Sequence, residues 1–393
     1  MKSILDQELI LEGKKVIVRV DLNVPMKNGA ITESSRIIKI LPTIKFLIEK
    51  KAKIIIFSHI GRPKGKFVNG MSLKPISNKL SDLLNKKVIF NKNEICEKTS
   101  AEIDKITNGS VMMMENIRFY DGEEKNDDYF SKTISSLGNI YINDAFSCSH
   151  RAHSSIDGIT KYIPSYCGLQ FVEEINALKR ITSEIKRPVT CIIGGSKIST
   201  KIKIISNLIK DFDNIIIVGG MGNAMLKNTG INIGKSVCDE GYKSLVDEII
   251  KKSEAHNCKI YYPLDVVVSK TLDGNGKIKE INEVNNDEMI LDIGPKTIES
   301  IKNIINETNT VLWNGPAGYF ENPNFANGTK KILEIIANKR LKGKIYAVAG
   351  GGETVAVINK FNKLDTFNFV STAGGAFLEY LEGKELPGIK ALN

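Results

Sequence analysis

Six short apolar runs in the second half of this chain each stop at a glycine turn, and that recurrence constrains the fold more than any other feature. PVTCII gives way to Gly194-Gly195, NIIIV to Gly219-Gly220, MILDI to Gly294-Pro295 and TVLW to Asn314-Gly315-Pro316; KIYAVA leads to Gly350-Gly351-Gly352 and NFVSTA to Gly374-Gly375. The fullest case is residues 344 to 358, KIYAVAGGGETVAVI, where Glu353-Thr354 opens a new apolar pattern at Val355, Val357 and Ile358. That order reads as strand, glycine turn, helix start. Three glycines remove every Cβ, so a ligand can approach the backbone and meet the free N–H groups and positive dipole end of the next helix. A phosphate is the natural guest, although an ordinary βα turn accounts equally well for any one such motif. If the six strands share a sheet, six bare turns line one edge of it, which suits a flat ligand bearing phosphates.

The first half alternates strands with helical stretches but ends its strands differently. KKVIVRVDLNVP, residues 14 to 25, is a β-branched strand closing on Asp21 and Asn23, with Pro25 forbidding helix straight afterwards. ITESSRIIKILPTIKFLIEK has helical spacing, with Thr32 able to cap and Arg36 in the first turns. AKIIIFSHIGRPKG ends in Ser58-His59 and a glycine turn bearing Arg62; SVMMMENIRFY puts Asn116 and Arg118 after another run. NIYINDAFSCSHRAHSS places Asp144 at a strand end and crowds His150, Arg151 and His153 into one loop. Strands alternating with helices imply parallel βαβ units, whose ligands sit beyond the carboxyl ends of the strands. The expectation is an α/β chain of two doubly wound, Rossmann-like parallel-sheet domains. The first grips a small anion by side chains and the second grips a nucleotide by backbone.

At 393 residues the chain exceeds the size at which one core stops growing, in keeping with two domains of roughly 150 to 200 residues. Between them KYIPSYCGLQFVEEINALKRITSEIKRP carries apolar residues at helical spacing from Leu169 to Ile181, bounded by Gly168 and Pro188. A helix joining the domains is the simplest account. No apolar run reaches the roughly 18 residues of a membrane span, and six scattered cysteines without a C-x-x-C pair suit free thiols in a reducing, cytoplasmic setting.

The net charge of +10 invites a nucleic-acid partner, but of 55 basic residues only eight are arginine. Arg36, Arg62, Arg118 and Arg151 sit in loop punctuation, where a rigid planar fork suits carboxylate or phosphate. A small anion explains that placement better than nucleic acid, for which no zinc finger, RNP-like motif or aromatic-and-basic strip is present. In GGSKISTKI, residues 194 to 202, Lys197 and Lys201 stand four apart, which places them on one face of a helix starting just after the glycines. Walker A, protein-kinase and G-x-G-x-x-G signatures are all absent.

Taken together these motifs resemble the phosphoglycerate kinase family over the full length: RVDLNVP (19 to 25), SHIGRP (58 to 63), ENIRF (115 to 119), RAHSS (151 to 155), GGSK (194 to 197), WNGPAGYFE (313 to 321), GGGET (350 to 354) and STAGGAFLEYLEGKELPG (371 to 388). The resemblance implies reversible transfer of the acyl phosphate of 1,3-bisphosphoglycerate to ADP, giving 3-phosphoglycerate and ATP, with Mg2+ bound alongside the nucleotide. It implies that Asp21, Leu22, Asn23, Arg36, His59, Ile60, Gly61, Arg62, Arg118 and Arg151 hold the phosphoglycerate. It likewise implies that Lys197, Lys201, Gly294, Asn314, Glu321, Gly350, Gly351, Gly352, Glu353 and Thr354 hold the nucleotide, with Glu321 at the ribose. Arg36, Lys197, Lys201 and the amides of Gly352 and Gly375 would surround the phosphoryl group in flight. Domains are expected at 1–168 with a returning segment 376–393, and at 186–375, joined by a helix at 169–185, in a monomer with no nucleic-acid or membrane partner. This chain reads GGGE where the family has GGGD, putting Glu353 in the metal-associated position, and Phe369 where many members have His.

Elementary chemistry agrees with that reading. A carboxylate of pKa near 4 is ionised at neutral pH, so making an acyl phosphate needs neither a general base nor a side-chain nucleophile. Charge stabilisation and alignment suffice, supplied by Arg, Lys, Mg2+ and helix N-termini, with water kept out by domain closure. The alternatives are a dinucleotide-binding oxidoreductase and a catalytically inactive binding module of the same fold.

Overall fold

The computed structural model describes residues 1–5, 8–27 and 29–393, which form two compact units: Met1–Asn176 with Glu385–Asn393, and Ala177–Lys384. In the first unit the strands in chain order are β1 (Lys15–Val20), β2 (Met26–Lys27), β3 (Ala30–Ile31), β4 (Lys53–Phe57), β5 (Val88–Asn91), β6 (Val111–Met114), β7 (Ile140–Asp144) and β8 (Ser165–Cys167). Six of them make one parallel sheet in the order β5-β6-β4-β1-β7-β8, while β2 and β3 pair as a small ribbon. The period-2 alternation of each strand sorts its side chains into two cores. Val16, Val18, Ile54, Ile56, Val111 and Met113 pack on one face; Ile17, Ile55, Phe57, Met112, Met114 and Tyr141 pack on the other. Both faces are therefore covered, which is why the runs read as continuously apolar.

In the second unit come β9 (Val189–Ile193), β10 (Asn214–Ile217), β11 (Lys259–Tyr261), β12 (Asp265–Ser269), β13 (Lys277–Glu280), β14 (Met289–Ile293), β15 (Thr310–Asn314), β16 (Tyr346–Gly350) and β17 (Phe369–Ser371). The parallel sheet runs β11-β10-β9-β15-β16-β17. Its order reverses between β9 and β15, the switch point where such sheets open a crevice for ligands.

Three local expectations are corrected here. The six glycine-ended runs do not share one sheet: MILDI is β14, paired antiparallel with β12 in a separate three-stranded sheet, β13-β12-β14. The cause is a hairpin, DVVVS and KIKE turning through Gly274 and Gly276, which gives β14 a different partner. The helical stretch after β3 is two helices, Ser35–Lys39 and Leu41–Glu49. Pro42 has no N–H to donate back, and its ring crowds the carbonyl four residues earlier. Thr32 does not cap: its hydroxyl donates to the Pro25 carbonyl at 3.1 Å, and Ser34 holds the N-cap position.

The joining helix spans Leu169–Thr182. It starts against Asp144 at the end of β7, which accepts from the Phe171 N–H at 3.0 Å; a Cβ on Gly168 would lie 2.3 Å from that carboxylate. At the other end of the chain the helix Gly375–Leu381 stays with the second unit, where Asn207 Nδ2 donates to the Leu381 carbonyl at 2.9 Å. The return to the first unit begins at Glu385, and the Gly388 N–H donates to the Ser149 carbonyl at 2.9 Å.

Candidate active site

The anion-side residues of the first unit gather at the carboxyl ends of β1, β4, β6 and β7. Asn23 bridges two of these ends, with Oδ1 accepting from the Gly61 N–H at 3.0 Å. Gly61 has φ +65°, and a Cβ there would meet Met71 Sδ at 2.7 Å, so this turn requires glycine. The Gly61 carbonyl accepts from Arg118 Nη1 at 2.9 Å, and Glu124 holds Arg118 Nε at 3.3 Å. Asp21 accepts from Arg36 Nη1, from the Ser147 hydroxyl and from the Asn23 N–H. Arg151 is exposed and donates from Nε to His150 Nε2 at 3.1 Å; Arg62 is exposed on the glycine turn. Leu22 and Ile60 are core residues whose backbone is already engaged, the Leu22 N–H with Ser58 Oγ at 2.9 Å and the Ile60 carbonyl with Asn116 Nδ2 at 2.8 Å.

Charge is concentrated here. Burial opposes ionisation of Asp21, yet the Arg36 guanidinium and the hydrogen bonds from the Ser147 hydroxyl and the Asn23 N–H hold its carboxyl below the usual carboxylate range. Burial pushes the His59 imidazole well below its usual range, with Arg19, Arg118 and Arg36 adding to that and Asp21 opposing it. With His59 neutral, Arg36 and the hydrogen bonds are what keep Asp21 ionised at neutral pH. The net result is a cluster of fixed guanidinium charge with few counter-charges, suited to a small polyanion.

In the second unit a cleft of about 350 Å³ opens beside the β9–β15 switch point. Gly195, Ser196, Gly219, Gly220 and Pro316 form its backbone edge, while Val237, Leu272, Ile290, Leu291 and Phe320 give it apolar walls; Glu321 and Glu353 stand at its margin. Flat apolar walls with a bare-backbone edge suit a base and its phosphates. Gly351 has φ +94° and caps the helix Gly352–Lys360, and a Cβ on Gly352 would meet nothing within 4 Å. On the neighbouring strand Gly374, φ +55°, similarly opens the helix Gly375–Leu381. Two helix N-termini thus emerge side by side from β16 and β17.

Lys201 is fixed near the first of them, its Nζ donating to the Gly194 carbonyl at 2.6 Å and to the carbonyl and Oδ1 of Asn314. Burial pushes this ammonium down to about 8, against the pull of Glu353 and Cys191. Asn314 Nδ2 also donates to the Gly350 carbonyl at 2.8 Å, and Thr354 Oγ1 accepts from the Gly315 N–H at 2.6 Å. Both side chains are buried, so they shape the loop from behind. Gly294 is buried too, its missing Cβ only 2.3 Å from the Asp265 carboxylate, and its neighbours Asp292 and Ile293 line the cleft in its place. Lys197 departs from expectation. It is exposed on extended backbone ahead of a 3-10 turn, Ile198–Thr200, and the helix begins only at Ile202, so the two lysines share no helix face. Asp239 imposes the break by accepting from the Ile198 N–H at 2.7 Å and the Ser199 hydroxyl at 2.7 Å.

A family model for phosphoglycerate kinase matches residues 6–384. The chain belongs to the phosphoglycerate kinase family. It is 45% identical over 394 residues to the phosphoglycerate kinase of Dictyoglomus turgidum, covering 100% of this chain and 98% of that one. Identity to the enzyme of Chelativorans sp. is 42% over 390 residues, 99% and 98% of the two chains. The solved phosphoglycerate kinase of Coxiella burnetii superposes with a TM-score of 0.91 at 39% identity over 98% of this chain and 97% of that one; that of Pyrococcus horikoshii gives 0.81 at 29%, over 100% and 98%. The activity is the glycolytic phosphotransfer between 1,3-bisphosphoglycerate and ADP, and the oxidoreductase alternative is not favoured.

For a phosphoglycerate kinase, the donor set at the second unit fits Mg2+. Glu353 is an exposed carboxylate in the first helical turn, at the margin of the cleft and next to the open space at Gly352. Mg2+ takes one or two carboxylates together with substrate phosphates. Sequence reasoning missed Arg19, Ser147 and Asp239, which tie the site together from behind. Arg19 carried a signal, a charge inside the apolar run VIVRV; Ser147 and Asp239 carried none.

Proposed function

We propose that the first unit binds 3-phosphoglycerate through Asn23, Arg36, His59, Arg62, Arg118 and Arg151. The second unit binds the nucleotide in its cleft, with Lys197, Lys201 and the N-terminal amides of the helices at Gly352 and Gly375 around the phosphoryl group, and Glu321 near the ribose. The observation that carries this is the open N-terminus of the helix at Gly352 near the buried Lys201 ammonium, with that of Gly375 on the neighbouring strand, since N–H donors and a fixed cation are what a phosphoryl group in transfer requires. Mg2+, held by Glu353 with the phosphates, would neutralise charge on the nucleotide. The substrate carboxylate is already ionised and attacks without a base. Arg36, held by Asp21, meets the group in flight, and the two units close on each other during turnover to exclude water. The enzyme works as a cytoplasmic monomer, in keeping with its six free cysteines.

Calorimetry on single variants tests the division of labour. Arg118→Ala is expected to lose 3-phosphoglycerate binding and keep ADP, and Lys201→Ala the reverse. Loss of ADP binding in Arg118→Ala with 3-phosphoglycerate spared would refute the assignment.

A further inference from the structure

The buried arginine of β1 plays no part in the reaction as described above. Arg19 is fully buried, where a charge is costly unless its donors are satisfied. Its Nε donates to Ser155 Oγ at 2.9 Å and its Nη1 to the Val20 carbonyl. Its Nη2 lies 3.1 Å from His59 Nδ1 and 3.7 Å from Cys148 Sγ. Ser155 in turn donates from Oγ and N to the buried Glu123 carboxylate at 2.6 and 2.9 Å. Asp21, His59 and Cys148 bring one ligand atom each to within 4.8 Å of one another, a spacing that a metal ion could use. Arg19 already supplies a cation to that cluster.

A guanidinium has five N–H donors and no acceptor. Facing Arg19, His59 Nδ1 has to accept, which leaves the ring proton on Nε2. We propose that Arg19 is a positioning residue that locks His59 as the neutral Nε2–H tautomer, so that His59 offers phosphoglycerate an N–H donor unchanged across the physiological pH range. This rests on the assignment of His59 to the phosphoglycerate side. Protonating the ring would set an N–H on Nδ1 against the N–H of Arg19. Burial first, then Arg19, Arg118 and Arg36, hold His59 below its ordinary range, with Asp21 alone pulling it up. These groups come from β1 and its end, from the helix Ser35–Lys39 and from the 3-10 turn after β6; Cys148 faces the cluster from the turn after β7. An ordinary histidine at an anion site would instead tighten binding as the pH falls through about 6.5.

Nitrogen-15 NMR of the histidine-labelled wild-type protein reads the tautomer directly, and His59→Gln assigns its signals among the four histidines. A pyridine-like Nδ1 and pyrrole-like Nε2 that do not titrate between pH 8 and 5 are expected. A pyrrole-like Nδ1, or conversion to imidazolium near pH 6.5, overturns the proposal whether or not His59 touches substrate. In Arg19→Met the KM for 3-phosphoglycerate is expected to rise about 10- to 100-fold at pH 8 relative to wild type. That gap should narrow below pH 6.5 as His59 gains a proton. A gap of constant size at pH 8 and 5.5 counts against the proposal, and if Arg19→Met fails to fold the wild-type NMR decides alone. Unchanged phosphoglycerate affinity in His59→Phe, which removes the donor, would overturn it through the site assignment on which it rests, and the tautomer signal shows which of the two has failed.

Discussion

Arg36 Nη1 donates to Asp21 Oδ2, an oxygen that also accepts from the Ser147 hydroxyl. The pair aims a half-buried guanidinium from the first turn of a short helix and keeps the carboxylate ionised. The folded protein holds the Asp21 carboxyl below its ordinary 3.8, so its contribution is present above about pH 4 and lost as the pH falls through that lowered range. Asp21→Asn should therefore lower stability at pH 7 and much less at pH 2.5, measured by denaturant unfolding. An equal loss at both pH values would mean that the charge contributes nothing.

Lys201 sets an alkaline limit. Its ammonium, held near 8 by burial, loses its charge as the pH rises, so kcat/KM for the nucleotide should fall through about pH 8. Lys201→Arg keeps its charge to beyond pH 12. Whatever its absolute rate, that variant should lack the limb; a limb at the same pH in the variant would assign it to another group.

Much of this was legible in the sequence. The apolar runs gave the inner strands of both parallel sheets, and β17 at one edge, because burial on both faces leaves a simple compositional trace; the edge strands β5, β8 and β11 went unread. The turns at Gly61 and Gly351 were legible for a similar reason, since each needs a backbone that only glycine adopts easily. What failed was anything decided by a distant partner. MILDI looks like its neighbours, yet pairs with β12 because a hairpin was in place first along the chain. The spacing of Lys197 and Lys201 promised a helix face until Asp239, far along the chain, folded the segment into a separate turn. The return to the first unit starts at Glu385 rather than 376 because Asn207 holds the end of the helix Gly375–Leu381.

Glu353 is where this chain departs from the family pattern, and it should support metal-nucleotide binding. Glu353→Asp is expected to be near neutral or mildly activating, and Glu353→Ala to raise the Mg2+ requirement sharply, as read by titrating Mg2+ against activity. An Ala variant with an unchanged metal optimum would leave Glu353 a helix-end charge worth about 0.3 to 1 kcal/mol.

The central claim is phosphoryl transfer by charge stabilisation, with Arg36 on the moving group, and a coupled assay with 3-phosphoglycerate and MgATP tests it most directly. Wild-type protein should turn over and stop when Mg2+ is chelated. Arg36→Lys should lose roughly one to three orders of magnitude in kcat. A wild-type protein that binds both substrates without turnover, or an Arg36→Lys variant with normal kcat and only a raised KM, would contradict the account.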